Sequence, residues 1–129
     1  MTAQPSFMVA SLSVAAGGAV GAWLRFAAGR MIGGQAFPYA TLTVNVLGSL
    51  AMGLLAGWLA RHGQGGEQWR LLLGVGVLGG FTTFSAFSLE VVTLAQRGAM
   101  GQAALYIVLS LAGGVGGLLL GLMLSRGIA

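Results

Sequence analysis

Cysteine is absent from the 129 residues, and so is lysine. The missing cysteine excludes a disulfide framework, thiol chemistry and any cysteine metal site. Charge is scarce too: six Arg and two Glu make 6% of the chain, where a soluble domain carries about a quarter. That shortage excludes a water-soluble globule. Proline occurs only at Pro5 and Pro38 and histidine only at His62. With no acid pair near a nucleophile, no catalytic constellation can be assembled, and no enzyme is expected. The net charge is +4 and the pI near 11.3. The arginines are scattered, however, and form no basic patch for nucleic acid.

What the chain has instead is apolar length. Hydrophobic residues make up 57% and the mean hydropathy is +0.91. Windows 1–24, 31–60, 71–89 and 98–125 hold no Asp, Glu, Lys or Arg. A helix needs about 20 apolar residues to cross the hydrocarbon core, so four spans fit and leave no room for a soluble domain. The sequence predicts an all-α integral membrane protein, a single four-helix transmembrane domain over 1–129 with spans near 7–26, 38–60, 70–97 and 101–125. Without a basic n-region, the N-terminal stretch reads as the first span rather than a signal peptide. His62, in a polar loop, reads as a solvated side chain.

Glycine is abundant, 24 of 129, and recurs as Gly17/Gly21, Gly53/Gly57, Gly76/Gly80, Gly113/Gly117 and Gly117/Gly121. In lipid such small-xxx-small pairs let helix backbones approach closely, which predicts tight packing and an oligomer. With four spans, Arg61, Arg70 and Arg126 fall on one side of the membrane and Arg25, Arg30 and Arg97 on the other. Positive-inside asymmetry normally fixes orientation; its absence here points to dual topology, with chains inserting both ways and pairing antiparallel.

The third span holds the strongest local anomaly, GGFTTFSAFS over 79–88. Paired glycines followed by paired threonines are poor helix formers, which predicts a third helix broken near its middle, around 79–83. The alternative is a bend in which Ser and Thr bond back to the preceding turn. Two polar stripes accompany it: Thr41, Asn45 and Ser49 in the second span, and Tyr106, Ser110 and Gly114 in the fourth, each at i, i+4, i+8. Each alone reads as interhelical hydrogen bonding; together with a break they read as a track of neutral donors. Phe84, Phe87 and Glu90 share one face of the third span. A phenyl edge is positive and can touch a small anion, and an ionisable residue inside a span is a functional candidate by default. Glu90 could carry a proton, pair with Arg25, or reach outward from the helix end.

The segments GGFTTFSAFSLE (Gly79–Glu90), NVLGS (Asn45–Ser49) and GAWLRF (Gly21–Phe26) resemble the Fluc/CrcB family of fluoride channels, and the length and four-span layout agree along the whole chain. The resemblance implies a passive fluoride-selective channel in the cell (inner) membrane that relieves fluoride toxicity, built as an antiparallel dual-topology homodimer with two pores. It implies a structural Na+ at the dimer centre, held by backbone carbonyls that here belong to Gly79 and Thr82. The pore phenylalanines would be Phe84 and Phe87, the pore asparagine Asn45, and the fourth-helix hydroxyls Tyr106 and Ser110. Thr41 and the hydroxyls of Thr83 and Ser85 fall on matching positions, and Arg25 and Glu90 on a pore mouth or interface. Gly114 departs from the pattern, standing where some members continue the hydroxyl track. The expected partners are fluoride, a second copy of the chain and the lipid bilayer, with no nucleic acid.

A small multidrug or guanidinium exporter is the competing reading: four spans, dual topology, and proton-coupled export of a cation through an intramembrane Glu. Such transporters place that acid in the first span, whereas Glu90 stands late in the third. An aquaporin-like pore would need paired Asn-Pro-Ala half-helices, which two isolated prolines cannot supply.

Overall fold

The computed structural model describes residues 3–34, 36–63 and 65–127, and every regular element among them is helical. Helix α1 (Phe7–Ile32) starts at Ser6, whose hydroxyl accepts the Val9 amide at 3.3 Å. It runs past the expected end at Phe26 and stops at Gly33, whose φ of +63° turns the chain while its N–H bonds to the Gly29 carbonyl. Arg25 therefore lies within the helix. Helix α2 (Tyr39–Arg61) follows Pro38. The third span, Gly66–Gln96, comes in two pieces. We label its first piece, 66–81, α3 and its second α4 (Phe84–Gln96). Gly98, at φ +78°, then leads into α5 (Met100–Gly127).

Within α3, Gly66–Trp69 is one α-helical turn, Arg70–Leu78 is π-helical, and Gly79–Phe81 is α-helical again. Nothing in the residue pattern foretells nine residues of π-helix, a form that is rare beyond a single turn. The stretch includes Gly74 and Gly76, two of the buried residues of the molecule, and it lies against α1.

All four spans are long and apolar enough to cross a bilayer. Hydrophobic side chains inside the molecule are few: Val44, Leu94, Ala103 and Tyr106 are buried, while most of the large apolar residues face outward. A helix that is hydrophobic all round belongs in lipid, and the chain is a multi-pass membrane protein.

Glycine takes over the role a soluble core would play. The helices form two parallel pairs, α1 with α3 and α2 with α5. A β-carbon at Gly21 would run into the Val77 carbonyl, and one at Gly121 into that of Leu50. The other predicted glycine pairs sit in the same two seams, with Gly17 against Leu72 and Gly53 against Leu118. The small-residue pairs thus close the seams inside one chain.

Candidate functional site at the break in the third span

The third span does break, but not at its glycines. Gly79 and Gly80 are helical, and the extended residues are Thr82 (φ −84°, ψ 156°) and Thr83 (φ −151°, ψ 122°). Gly80 is there for contact: a β-carbon on it would meet the Gly18 carbonyl oxygen of α1 at 2.5 Å. Both threonine side chains bond to the local backbone. Thr82 Oγ1 donates to the Leu78 carbonyl at 2.9 Å, joining its own amide on that acceptor. Thr83 Oγ1 caps α4 by accepting the Ala86 amide at 3.2 Å.

Asn45 of α2 completes the break. Its Oδ1 accepts the Thr83 amide at 2.7 Å and its Nδ2 donates to the Thr83 carbonyl at 2.9 Å. One side-chain amide thereby satisfies both backbone groups of an extended residue at membrane depth, where water is not available to do so. Its second N–H remains. Arg25 closes the other side: its Nε donates to the Gly80 carbonyl at 3.1 Å. The arginine thus reaches the end of α3, where a cation is favourable against the helix dipole.

These diversions free particular carbonyls. In an unbroken helix the Thr83 amide would bond to the Gly79 carbonyl and the Ala86 amide to that of Thr82. Here the first goes to Asn45 and the second to the Thr83 hydroxyl. Gly79 and Thr82, the two residues singled out for a cation, are among those whose carbonyls lose their helical donors.

The acidic residue of this span is tied on both oxygens. Thr41 donates to Glu90 Oε1 at 2.7 Å and Tyr106 to Glu90 Oε2 at 2.6 Å. Glu90 therefore has no partnership with Arg25, whose guanidinium is at Gly80. Tyr106 is fully buried and stands in a series of rings: Phe84–Phe87 at 5.6 Å between centroids, Phe87–Tyr106 at 5.1 Å and Tyr106–Phe37 at 5.6 Å. Phe87 is half-buried in this series, whereas Phe84 is 77% exposed on the outer face of the chain. Ser85 is exposed beside it, 3.4 Å from the Thr83 hydroxyl.

Ser110 Oγ is buried and has no hydrogen-bond partner among the described residues. A buried hydroxyl left unpaired is costly, and this one lies on the polar stripe of α5. A groove lined by Asn45, Ser49, Thr82, Thr83 and Phe84 opens beside the break. At the end of α2, His62 stacks on Trp58 at 4.9 Å and its Nδ1 lies 2.9 Å from the Trp58 carbonyl. The structure therefore gathers Asn45, Thr82, Thr83 and Phe84 at one groove and Thr41, Glu90, Phe87 and Tyr106 at another cluster. The tie from Arg25 to Gly80 is one element of the site that the residue pattern did not suggest, because a lone arginine near a helix exit ordinarily faces headgroups.

Fold and site together define a small four-span membrane protein with a helix interrupted at depth and propped by neutral side chains. Sequence comparison narrows the class. A family model described as CrcB-like protein, Camphor Resistance (CrcB), matches residues 12–122. A protein of Novosphingobium aromaticivorans named Fluoride-specific ion channel FluC is 60% identical over 127 residues, covering 95% of this chain and 100% of that protein. Proteins of the same name from Erythrobacter litoralis and Rhodospirillum centenum are 53% and 54% identical, covering 92% and 89% of this chain and 93% and 94% of theirs. The chain belongs to the CrcB family.

Proposed function

We propose that this protein is a passive fluoride-selective channel that lets fluoride leave the cytoplasm and so limits its toxicity. Relatives named as fluoride-specific ion channels align over nearly the full length. The structural observation that carries the mechanism is the unpaired, buried Ser110 hydroxyl on a stripe of neutral donors. Moving a small anion into an apolar interior costs tens of kcal/mol when nothing compensates it. Ser110, the second N–H of Asn45, the hydroxyls of Thr83 and Ser85, and the ring edges of Phe84 and Phe87 would replace water one contact at a time. None of these groups carries a fixed positive charge, so the anion is held weakly enough to leave, as conduction requires. Thr41 and Tyr106 shield the Glu90 carboxylate, which would otherwise repel an anion. Its bracketing on both oxygens also argues against proton-coupled cation export.

The working unit we propose is an antiparallel dual-topology homodimer. The three-to-three division of arginines supports it, as does the outward exposure of Phe84 beside the break. A structural Na+ fits the same reading: oxygen donors suit a hard cation, and the Gly79 and Thr82 carbonyls are relieved of their helical donors. Bound there, the ion would supply a positive charge shared between the two copies.

The test is fluoride and chloride efflux from liposomes holding the purified dimer, followed with ion-selective electrodes. Rapid fluoride efflux, negligible chloride efflux, and loss of fluoride efflux in Phe84→Ile and Asn45→Asp are expected. No fluoride efflux from a verified dimer overturns the channel.

A further inference from the structure

The polar stripe of α5 ends abruptly. Tyr106 and Ser110 are followed one turn on by Gly114, which has no side chain to offer. Helices α2 and α5 run parallel, and their i, i+4 stripes lie side by side: Thr41 and Tyr106 both reach Glu90. Two turns further along α2, the atom facing Gly114 is Ser49 Oγ, 3.7 Å from where a β-carbon on Gly114 would lie. Hydroxyls at Thr82, Ser88 and Thr93 are spent on the carbonyl four residues back. The Ser49 hydroxyl makes no hydrogen bond among the described residues. It is half-buried and lines the groove that runs from Asn45 past Thr83.

We infer that the polar track crosses from α5 to α2 at Gly114, with the Ser49 hydroxyl as the donor that follows Ser110. This rests on the fluoride-channel reading. The physical argument is continuity. An ion that has exchanged water for single hydroxyl donors cannot cross a full helical turn of bare apolar wall without a large desolvation cost. On α5 that turn is bare at Gly114, and the nearest side-chain atom across the seam is a hydroxyl oxygen free to donate. Glycine at 114 leaves open the space in which Ser49 is reached. Ser49 thereby becomes a specificity-determining residue, and the identity of residue 114 is tied to it.

Fluoride efflux is measured for the unmodified dimer, Ser49→Ala, and the double variant Ser49→Ala/Gly114→Ser. A serine at 114 fits, since 3.7 Å is ordinary van der Waals contact. Loss of one hydrogen bond to an anion lowers flux by about tenfold or more, so Ser49→Ala falls by that factor and the double variant recovers most of it. Recovery is the informative result, because a merely structural role for Ser49 would not be mended by a hydroxyl on another helix. Ser49→Thr and Ser49→Val give an independent reading at matched shape: the threonine conducts and the valine does not. Unchanged flux in Ser49→Ala, a double variant as slow as the single one, or equal flux for Thr and Val overturns the inference. If the unmodified dimer passes no fluoride, the channel reading itself fails, and this inference falls with it.

Discussion

Asn45 makes two backbone hydrogen bonds with one side-chain amide, so its substitutions separate stability from conduction. Asn45→Ala removes both partners of Thr83, and two unsatisfied buried groups cost about 2 kcal/mol or more together. Asn45→Asp keeps an acceptor for the Thr83 amide but sets a carboxylate oxygen against the Thr83 carbonyl. Thermal unfolding in detergent is therefore expected to place both variants below the unmodified protein. Fluoride flux separates them, because the aspartate adds a negative charge beside the path and leaves the least flux of the three. Asn45 was legible in the sequence as a polar residue at membrane depth. Its partner was not, since Thr83 lies in another span and no spacing rule links them. Arg25 shows the same limit: the residue stands out by its charge, whereas its acceptor is a backbone carbonyl with no side-chain signature. Ser110 is the converse case. Its stripe was evident, yet only packing shows that its hydroxyl is buried without a partner.

At the scale of the element, glycine spacing foretold close packing, and two positions in α1 test how it works. A β-carbon at Gly21 would strike the Val77 carbonyl, while one at Gly29 meets nothing within 4 Å. Gly21→Ala is expected to destabilise the protein by about 1–3 kcal/mol, the usual cost of overpacking. Gly29→Ala is expected to stabilise it by up to about 1 kcal/mol through helix propensity alone. Melting points of the two purified variants in one detergent decide the matter. Four apolar windows bounded by arginines made the span count readable, because hydrophobic length is a property of local sequence. The break falls inside the expected stretch 79–83, at its threonines rather than its glycines, for a physical reason. Glycine weakens a helix, but Gly79 and Gly80 remain helical, and Gly80 packs where a β-carbon would strike the Gly18 carbonyl of α1. The Thr83 hydroxyl and the Asn45 amide take over backbone hydrogen bonds, and the chain opens where such substitutes exist. The π-helical stretch Arg70–Leu78 had no counterpart in the residue pattern; it lies along the tight seam with α1.

For the whole molecule, the balance of arginines makes orientation sensitive to one charge. Gln68→Lys adds a cation to the side that already holds Arg61, Arg70 and Arg126. Under the dual-topology reading, a reporter fused to the C-terminus goes from about even partition between the two faces to a clear cytoplasmic bias. Fluoride resistance of cells expressing only this variant falls as antiparallel partners run short; a reporter found on one face before the change would remove the basis for dual topology. The pairing of helices carries a mechanical consequence as well. The α1–α3 and α2–α5 seams are closed by glycine against backbone, so each pair behaves as one stiff body. The third span belongs to both, its first piece lying along α1 and its second against α5. Between those pieces stand two extended residues, the second of them held by an asparagine side chain. A latch of that kind can release without unwinding a helical turn. The joint of the protein and the asparagine beside its groove are thus the same few atoms.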